Sequence, residues 1–351
     1  MEDSSLAGSV LDMRTSQTTK EEQMKRYIFS VALLLGLATL SPVHAEPLKV
    51  GFSLDTKEST LETAWETFLK SEGEKQGKAA GLEFEWTINV ANADPARQAA
   101  NIDDLITAGV DVIIARAFDS GAIGTSIKAA KDAGIPFVTF DRGSTSGKPT
   151  AHVGGDSYDQ ARSTGLAFAE ILKKAGVKGK CIELQGMLTD INAVNRSKGW
   201  NEVGKETGQY ETVLQVPTEW NPELFLSGLT NALTAKPEAN CVFAASDFAF
   251  PSIQAALEKA GRWAPTGTPK HMWLATNDLL SAAVKPMEDG YIDVSTTWDA
   301  YLQAKEAVRV LIAIKKSEDP KCGPDGCLAK GRVVTPATIK ETPDLWSRDF
   351  K

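Results

Sequence analysis

Residues 122–142 read AIGTSIKAAKDAGIPFVTFDR, and this stretch holds one complete helix-to-strand unit. Its first part, Ala122 to Ala133, has the apolar spacing of an amphipathic helix and is stopped by Gly134. The second part, Pro136 to Phe140, is a short apolar run typical of a buried parallel strand. The charged pair Asp141-Arg142 follows it directly. This pattern predicts a βαβ fold in which polar side chains emerge at the carboxyl end of the strand.

The same alternation of strands and helices continues along the chain in two series. In the first series, the predicted strands are Lys49 to Leu54, Glu83 to Val90, Val112 to Ala115 and Pro136 to Phe140, and the predicted helices are Thr60 to Ala80, Pro95 to Ala108 and Ala122 to Ala133. The second series has predicted strands at Cys181 to Leu184, Thr212 to Val216, Cys241 to Ala245 and Met272 to Ala275, with predicted helices at Ser157 to Ala175, Asn192 to Glu206, Pro222 to Thr234, Pro251 to Ala260 and Leu279 to Met287. Two similar series predict two doubly wound α/β lobes with parallel sheets. Ligands of such sheets bind beyond the carboxyl ends of the strands, so we expect a cleft between the lobes.

We expect the chain to cross between the lobes three times, near Thr150, near Trp298 and near Val334. The N-terminal lobe is predicted to comprise residues 46–150 and 299–331, and the C-terminal lobe residues 151–298 and 332–351. The first boundary is set at the Gly/Ser/Thr-rich stretch Gly143 to Thr150, and the predicted helix Ala300 to Lys315 returns the chain to the N-terminal lobe.

The N-terminus has the pattern of an export signal. Met24-Lys25-Arg26 is basic, the apolar run Tyr27 to Leu40 follows, and Val43-His44-Ala45 has the small-residue spacing of a cleavage site. We therefore predict a signal peptide at residues 24–45, cleavage near Ala45 and a periplasmic mature chain without a membrane-spanning segment. Residues 1–23 are polar and aperiodic, and we interpret them as a mis-started or non-native extension.

Composition narrows the class of protein. The chain has 351 residues, of which 42% are hydrophobic and 24% charged, an ordinary globular composition that is long enough for two domains. The net charge of −8 disfavours a nucleic-acid partner. We expect a monomer.

The four cysteines are predicted to be structural. Cys322 and Cys327 flank a turn-forming stretch, which predicts a small disulfide loop in an exported protein. Cys181 and Cys241 begin the first and third strands of the second series, which are adjacent in the common 2-1-3-4-5 strand order. For this pair a disulfide and two buried free thiols both remain open. We expect no metal site.

Five segments carry a resemblance to a known family. They are Val50-Gly-Phe-Ser53, Asp111-Val-Ile-Ile114, Gly134-Ile-Pro-Phe-Val-Thr-Phe-Asp-Arg142, Ile182-Glu-Leu-Gln-Gly186 and Glu288-Asp-Gly290. In this order, the segments resemble the periplasmic ribose-, galactose- and galactofuranose-binding proteins that feed ABC transporters. The resemblance extends over roughly Leu48 to Ile314 and implies a periplasmic binding protein type 1 fold, a small sugar or polyol ligand and an ABC permease as partner.

The resemblance implies three charged positions in the ligand site. The family's Asp-Arg pair matches Asp141 and Arg142, and a carboxylate and a guanidinium together suit sugar hydroxyls, although a strand-end ion pair is the alternative. Arg196 matches the family's second arginine but could be a solvated helical residue. Asp278 matches the family's hydroxyl-accepting aspartate, while the sequence Thr276-Asn277-Asp278 also fits a helix N-cap.

Three further positions follow from the same resemblance. Trp220 matches an aromatic residue that stacks on the sugar, and an indole suits the apolar face of a sugar ring. Trp298 lies where the ribose-binding type has glutamine, with packing between domains as the alternative. Ser246 occupies an asparagine position, and its shorter side chain reaches less far.

The first loop departs from the family. Leu61-Glu62 stands where the ribose-binding type has two aromatic residues and the galactofuranose type has Trp-Arg. Ser59 and Glu62 fit a capping box at the start of a helix. Glu62 could also place a carboxylate in the cleft, which would suit a hydroxyl-rich or cationic ligand. Both residues are kept as candidate ligand contacts.

Enzyme classes find little support. The chain has no Gly-x-x-x-x-Gly-Lys-Ser/Thr loop and no Gly-x-Gly-x-x-Gly after the first strand, and in Gly143-Ser-Thr-Ser-Gly147 a threonine stands where a nucleophile elbow needs serine. The sequence therefore predicts a binding protein that acts by hinge closure, with no cofactor and no catalysis. A role as the sugar-sensing partner of a chemotaxis or signalling receptor is the alternative, and a polyol, sugar acid or amino-sugar could replace the sugar.

Overall fold

The computed structural model describes residues 46–350. The predicted extension at residues 1–23 and the predicted signal peptide at residues 24–45 lie outside the described residues. None of the helices between residues 46 and 350 is both long enough and apolar enough to cross a membrane.

Strands and helices alternate along the described chain. In chain order they are β1 (Leu48–Leu54), α1 (Thr60–Ala80), β2 (Phe84–Val90), α2 (Pro95–Thr107), β3 (Val112–Ala115), α3 (Ile123–Asp132), β4 (Phe137–Phe140), β5 (Ala151–Gly155), α4 (Ser157–Ala175), β6 (Gly179–Gln185), α5 (Ile191–Thr207), β7 (Tyr210–Pro217), α6 (Pro222–Ala235), β8 (Cys241–Ala244), α7 (Phe250–Lys259), β9 (Trp273–Asp278), α8 (Ser281–Glu288), β10 (Val294–Thr297), α9 (Ala300–Lys315), β11 (Cys327–Ala329) and β12 (Val333–Val334). Two 3₁₀ turns follow, Ile339–Glu341 and Trp346–Arg348.

The strands form two six-stranded sheets, which confirms the predicted fold of two α/β lobes. The first sheet has the order β11-β5-β4-β3-β1-β2 and is parallel throughout. The second has the order β12-β10-β9-β8-β6-β7, and only its short edge strand β12 is antiparallel. Each sheet separates two buried apolar clusters, because helices cover both of its faces. We call the two halves the first lobe and the second lobe.

The first crossing between the lobes lies later than Thr150, so the predicted boundary is wrong. Residues Ala151–Gly155 form β5, which pairs with β4 and with β11 inside the first sheet. The chain passes to the second lobe only after Gly155, at the start of α4. The five residues of β5 are too few to show a period of their own, and pairing with distant segments makes them a strand.

The other two crossings lie close to the expected positions. The second is at Trp298 and Asp299, between β10 and α9. At the third, between β11 and β12, the backbone N–H of Arg332 donates to Oγ1 of Thr297 at 2.9 Å. The last residues contact both lobes: Ile339 and Leu345 pack in the core of the second lobe, as expected, and Arg348 pairs with Glu288 of α8. Trp346 packs in the core of the first lobe and donates its Nε1–H to the backbone oxygen of Trp298 at 2.9 Å.

All four cysteines are in disulfides. Cys181 and Cys241 lie opposite each other on the adjacent parallel strands β6 and β8, with Cα atoms 4.4 Å apart, and form one bridge. Cys322 and Cys327 form the other, beside the turn at Gly323–Gly326. The 2-1-3-4-5 order of β7, β6, β8, β9 and β10 is what brings the first pair together.

Candidate ligand-binding site

A cavity of about 770 Å³, including its open mouth, lies between the carboxyl ends of the two sheets. All nine residues that the sequence singles out line it, namely Ser59, Glu62, Asp141, Arg142, Arg196, Trp220, Ser246, Asp278 and Trp298. The first lobe contributes the loop and helix start after β1 and the residues that follow β3 and β4. The second lobe contributes the residues that follow β6, β7, β8 and β9. The cavity is therefore shared by both lobes.

Arg116 is the central cation of the first-lobe wall, although the sequence did not single it out. Its NH1 group donates to both carboxylate oxygens of Asp55 at 2.6 and 2.7 Å, and its Nε donates to Oδ2 of Asp141 at 2.8 Å. Although burial disfavours its charge, the carboxylates of Asp55, Asp141 and Glu62 raise the pKa of Arg116 well above its ordinary value. Arg116 thus stays charged while almost fully buried.

The alternative of a strand-end ion pair between Asp141 and its neighbour Arg142 is wrong. Asp141 accepts instead from Arg116 and from the indole Nε1–H of Trp298, the latter at 2.8 Å. Asp141 has φ of 62°, a left-handed conformation that turns the backbone between the two neighbours. Sequence adjacency therefore did not decide which ions pair.

Arg142 joins the two lobes across the cavity. Its NH1 group donates to Oδ2 of Asp55 at 2.7 Å and to the backbone oxygen of Ala117 at 3.1 Å, both in the first lobe. Its Nε lies 2.7 Å from Oδ2 of Asp190, which caps α5 in the second lobe, in an ion pair without an aligned hydrogen bond. A second link runs from Nδ2 of Asn192 to the backbone oxygen of Asp141, at 3.1 Å. These contacts hold the lobes together at the cavity.

Arg196 and Asp278 form the matching ion pair of the second lobe. The NH2 group of Arg196 donates to Oδ1 of Asp278 at 2.6 Å, and Gln160 bonds to both partners, accepting from Nε of Arg196 at 2.9 Å and donating to Asp278 at 3.0 Å. Burial raises the pKa of Asp278, although the charge of Arg196 opposes this shift. The alternative of a solvated helical arginine is wrong, because Arg196 is 4% exposed.

Asp278 does not cap the helix that follows it. The backbone N–H groups of Leu279 and Leu280 donate to Asp247 at 3.0 and 2.9 Å, and Thr276 donates its hydroxyl to the same carboxyl at 2.9 Å. Burial, together with the nearby charge of Asp278, raises the pKa of Asp247 well above its ordinary value. Asp247 thus accepts from the backbone just before α8, and Asp278 lines the cavity.

Ser59 and Glu62 combine both of the roles left open for them. The hydroxyl of Ser59 accepts from the backbone N–H of Leu61 at 3.2 Å, and its backbone N–H donates to Oε2 of Glu62 at 2.9 Å, which completes a capping box at α1. The other oxygen of Glu62, Oε1, lies 3.3 Å from NH1 of Arg116. Glu62 is 4% exposed and lines the cavity. Capping therefore fixes a carboxylate in the cavity wall.

Trp220 and Trp298 both line the cavity, but different contacts fix their rings. The indole Nε1–H of Trp220 donates to Oδ2 of Asp190 at 2.9 Å, and its ring packs closely over Gly186, where any Cβ would clash. The guanidinium of Arg196 lies 4.7 Å from the centroid of the Trp298 ring, and Gly155 lies against the same ring. Trp298 also belongs to the first-lobe core, so it packs between the lobes as well as lining the cavity.

Backbone strain concentrates around this cavity. Nine residues other than glycine have positive φ within residues 46–350, and five of them line the cavity: Ala93, Asp141, Glu219, Trp220 and Asp278. Such conformations cost roughly 1–3 kcal/mol each and persist where the surroundings impose them, most often at functional sites. The strained backbone therefore lies around the same cavity as the charged side chains.

Two charged lining residues that sequence reasoning missed had a usable signal. Asp55 follows β1 directly and Arg116 follows β3 directly, so the rule that polar residues after strands belong to the site would have found both. Asn192 lies in the first turn of α5, next to its cap. In the part of the chain described here, no group of three His, Cys, Asp or Glu side chains is arranged to hold a metal ion.

Comparison with known proteins gives the chain clear relatives. A sequence profile described as periplasmic binding protein domain matches residues 50–319. The putative rhizopine-binding protein of Rhizobium meliloti is 29% identical over 305 residues, which cover 84% of this chain and 92% of that protein. The ribose import binding protein of Escherichia coli (strain K12) is 29% identical over 204 residues, covering 58% and 67% of the two chains.

Solved structures share the fold. An ABC transporter solute binding protein from Mycobacterium smegmatis, with bound glycerol, superposes with a TM-score of 0.74 at 24% identity, covering 84% of this chain and 96% of that chain. The Caulobacter myo-inositol binding protein, bound to myo-inositol, gives 0.73 at 17% identity, with 87% and 99% covered. At this identity the likeness concerns the fold.

Proposed function

The chain belongs to the periplasmic binding protein domain family, and we propose that within it this protein captures a small sugar or polyol between its lobes and delivers it to an ABC importer. The observation that carries the proposal is the cavity wall, where charged side chains from both lobes meet around one space. The names of relatives agree with it, since they include ribose and D-apiose import binding proteins and a xylitol-binding protein.

The chemistry of the wall suits hydroxyl groups. Carboxylates such as Asp141 and Asp278 accept hydroxyl protons, while guanidinium groups such as those of Arg142 and Arg196 keep N–H donors beyond those used in ion pairs. Trp220 and Trp298 offer indole rings to the apolar face of a sugar ring. Together they supply acceptors, donors and an apolar surface within a single cavity.

The proposed mechanism is hinge closure. A ligand that contacts Asp141 on the first lobe and Arg196 on the second favours the closed arrangement, because it binds that arrangement better than the open one. The Arg142–Asp190 ion pair adds a contact between the lobes that an open form would lose. The closed protein would then be the form that the importer recognises, after export and cleavage near Ala45.

We propose binding without catalysis. Among residues 46–350, the side chains that line the cavity include no histidine, lysine or cysteine. Its serine hydroxyls lie next to carboxylates that are themselves bonded, as Ser59 is to Glu62. We infer that this set holds a polar guest and performs no chemistry on it.

A thermal-shift screen over sugars, alditols and inositols tests the proposal, because a ligand that binds only the folded state raises the melting temperature. The best compound is then titrated by calorimetry into the wild type, Arg142→Ala and Arg97→Ala. We expect Arg142→Ala to weaken binding by about 10- to 100-fold, since hydroxyls and Asp55 lose a charged partner. Arg97 is exposed on α2 and is the matched control. Shifts by nucleotides or peptides alone, or equal affinity of all three proteins, would refute the assignment.

A further inference from the structure

The charged groups that line the cavity are unequal in number. Within residues 46–350, the wall holds seven carboxylates, three guanidinium groups and no other ionisable side chain: Asp55, Glu58, Glu62, Asp141, Asp190, Glu219 and Asp278 face Arg116, Arg142 and Arg196. Glu58 and Glu219 are exposed, whereas the other five acids and all three arginines are buried. Even the buried set therefore carries two more negative charges than positive ones when all groups are ionised.

The positive charge of the wall is already balanced by its own acids. Arg116 pairs with Asp55 and Asp141, Arg142 pairs with Asp55 and Asp190, and Arg196 pairs with Asp278. Each arginine keeps N–H donors for hydroxyl groups, but none supplies a net positive charge to an incoming anion. A sugar phosphate or sugar acid would add negative charge to a low-dielectric space that already has a surplus of it.

Glu62 is the buried acid with the weakest partner. Its Oε2 is used by Ser59, whereas the closest cationic atom to Oε1 is NH1 of Arg116 at 3.3 Å. Arg116 lies closer to its other acids, at 2.6 Å from Asp55 and 2.8 Å from Asp141. No aligned hydrogen bond reaches Oε1 from any side chain in residues 46–350. A carboxylate oxygen with spare acceptor capacity thus lies in the cavity wall at 4% exposure of its residue.

We propose that the ligand is an amino-substituted sugar or polyol, whose ammonium group binds Oε1 of Glu62 while its hydroxyls contact the ion pairs of both lobes. This inference rests on the proposed function and narrows its ligand class. An ammonium group donates three hydrogen bonds and brings the positive charge that the wall lacks. It also offsets the repulsion among the buried acids of the wall.

The experiment compares pairs of compounds that differ at one position only. Calorimetry at pH 7 measures glucose against glucosamine, galactose against galactosamine, and inositol against amino-deoxy-inositol, with the N-acetylated form of each amine as a neutral control. We expect at least one amine to bind about tenfold more tightly than its hydroxyl and N-acetyl counterparts, because a charge-assisted hydrogen bond is roughly twice as strong as a neutral one.

Two variants test whether Glu62 is the group that binds the ammonium of the ligand. Glu62→Gln keeps the capping box, since glutamine serves at that position of the helix, and it removes the charge. We expect it to reduce the ratio of amine to hydroxyl affinity by about tenfold. Glu74→Gln makes the same charge change at an exposed position of α1 and is expected to leave that ratio as in the wild type.

The outcomes separate this inference from the proposed function. If hydroxyl compounds bind and every amine binds more weakly, the amino-ligand inference is wrong while the proposed function stands. If the amine preference is as large in Glu62→Gln as in the wild type, the assignment to Glu62 is wrong. If no sugar, polyol or amine binds the wild type, the proposed function fails, and this inference fails with it.

Discussion

Replacing Arg116 by methionine tests whether the buried ion network holds the first lobe together. Methionine keeps much of the side-chain length but leaves Asp55 and Asp141 without the donor that now lies 2.6 to 2.8 Å away. Hydrogen bonds to charged groups contribute about 1.5–3 kcal/mol each, and removing one partner of a buried ion pair costs about 3–5 kcal/mol. We expect Arg116→Met to lose about 3–5 kcal/mol of the free energy of unfolding, measured by urea denaturation without ligand.

The matched control is Arg309→Met on α9. Arg309 pairs with Glu306 at 2.6 Å, but its side chain is 41% exposed, so the loss should be about 1 kcal/mol or less. A further variant, Arg116→Met with Asp141→Asn, should recover part of the lost stability, because Arg116 is the cation that pairs with Asp141 and its removal leaves that carboxylate stranded. Equal losses for Arg116→Met and Arg309→Met would refute the reasoning that burial makes this network important.

Three further predictions follow from other parts of the structure. The double variant Cys181→Ala/Cys241→Ala should lose roughly 4 kcal/mol of unfolding free energy in urea denaturation, because the bridge that it removes spans 60 residues of sequence. A loss smaller than that from removing the short-range bridge Cys322–Cys327 would contradict the loop-entropy argument. Burial raises the pKa of Glu183 above its ordinary value of 4.5. The stabilisation that the protonated side chain of Glu183 gives the folded state is therefore complete below pH 4.5, and it is lost as the pH rises through the folded-state pKa. The stability of Glu183→Gln relative to the wild type should therefore rise as the pH increases above 4.5, and a constant difference across pH in thermal melts would disprove this. Asp190→Asn keeps the cap of α5 but removes the ion pair with Arg142, so small-angle scattering should give the ligand-free variant a larger radius of gyration than the wild type.

Most of the fold could be predicted from local pattern. The predicted bounds of Thr60–Ala80, Ser157–Ala175 and Ala300–Lys315 agree with the helices in the structure, because their apolar spacing and capping residues lie within each segment. The two-lobe architecture also followed from the repeated alternation of strands and helices. What escaped prediction was the short strands β5, β10, β11 and β12. Each has two to five residues, and pairing with a distant strand makes it a strand.

The candidate site also has features that the sequence predicts and features that it does not. The sequence by itself determined which residue types follow the strands, and every residue chosen on that basis or by family resemblance lines the cavity. Only the tertiary structure decided which charges pair, because Asp141 accepts from Arg116, 25 residues earlier in the chain, and not from its neighbour Arg142. The physical reason is that a buried charge takes the partner that the fold brings within hydrogen-bond distance, and the direction of each side chain at a strand end depends on backbone turns that local sequence does not encode.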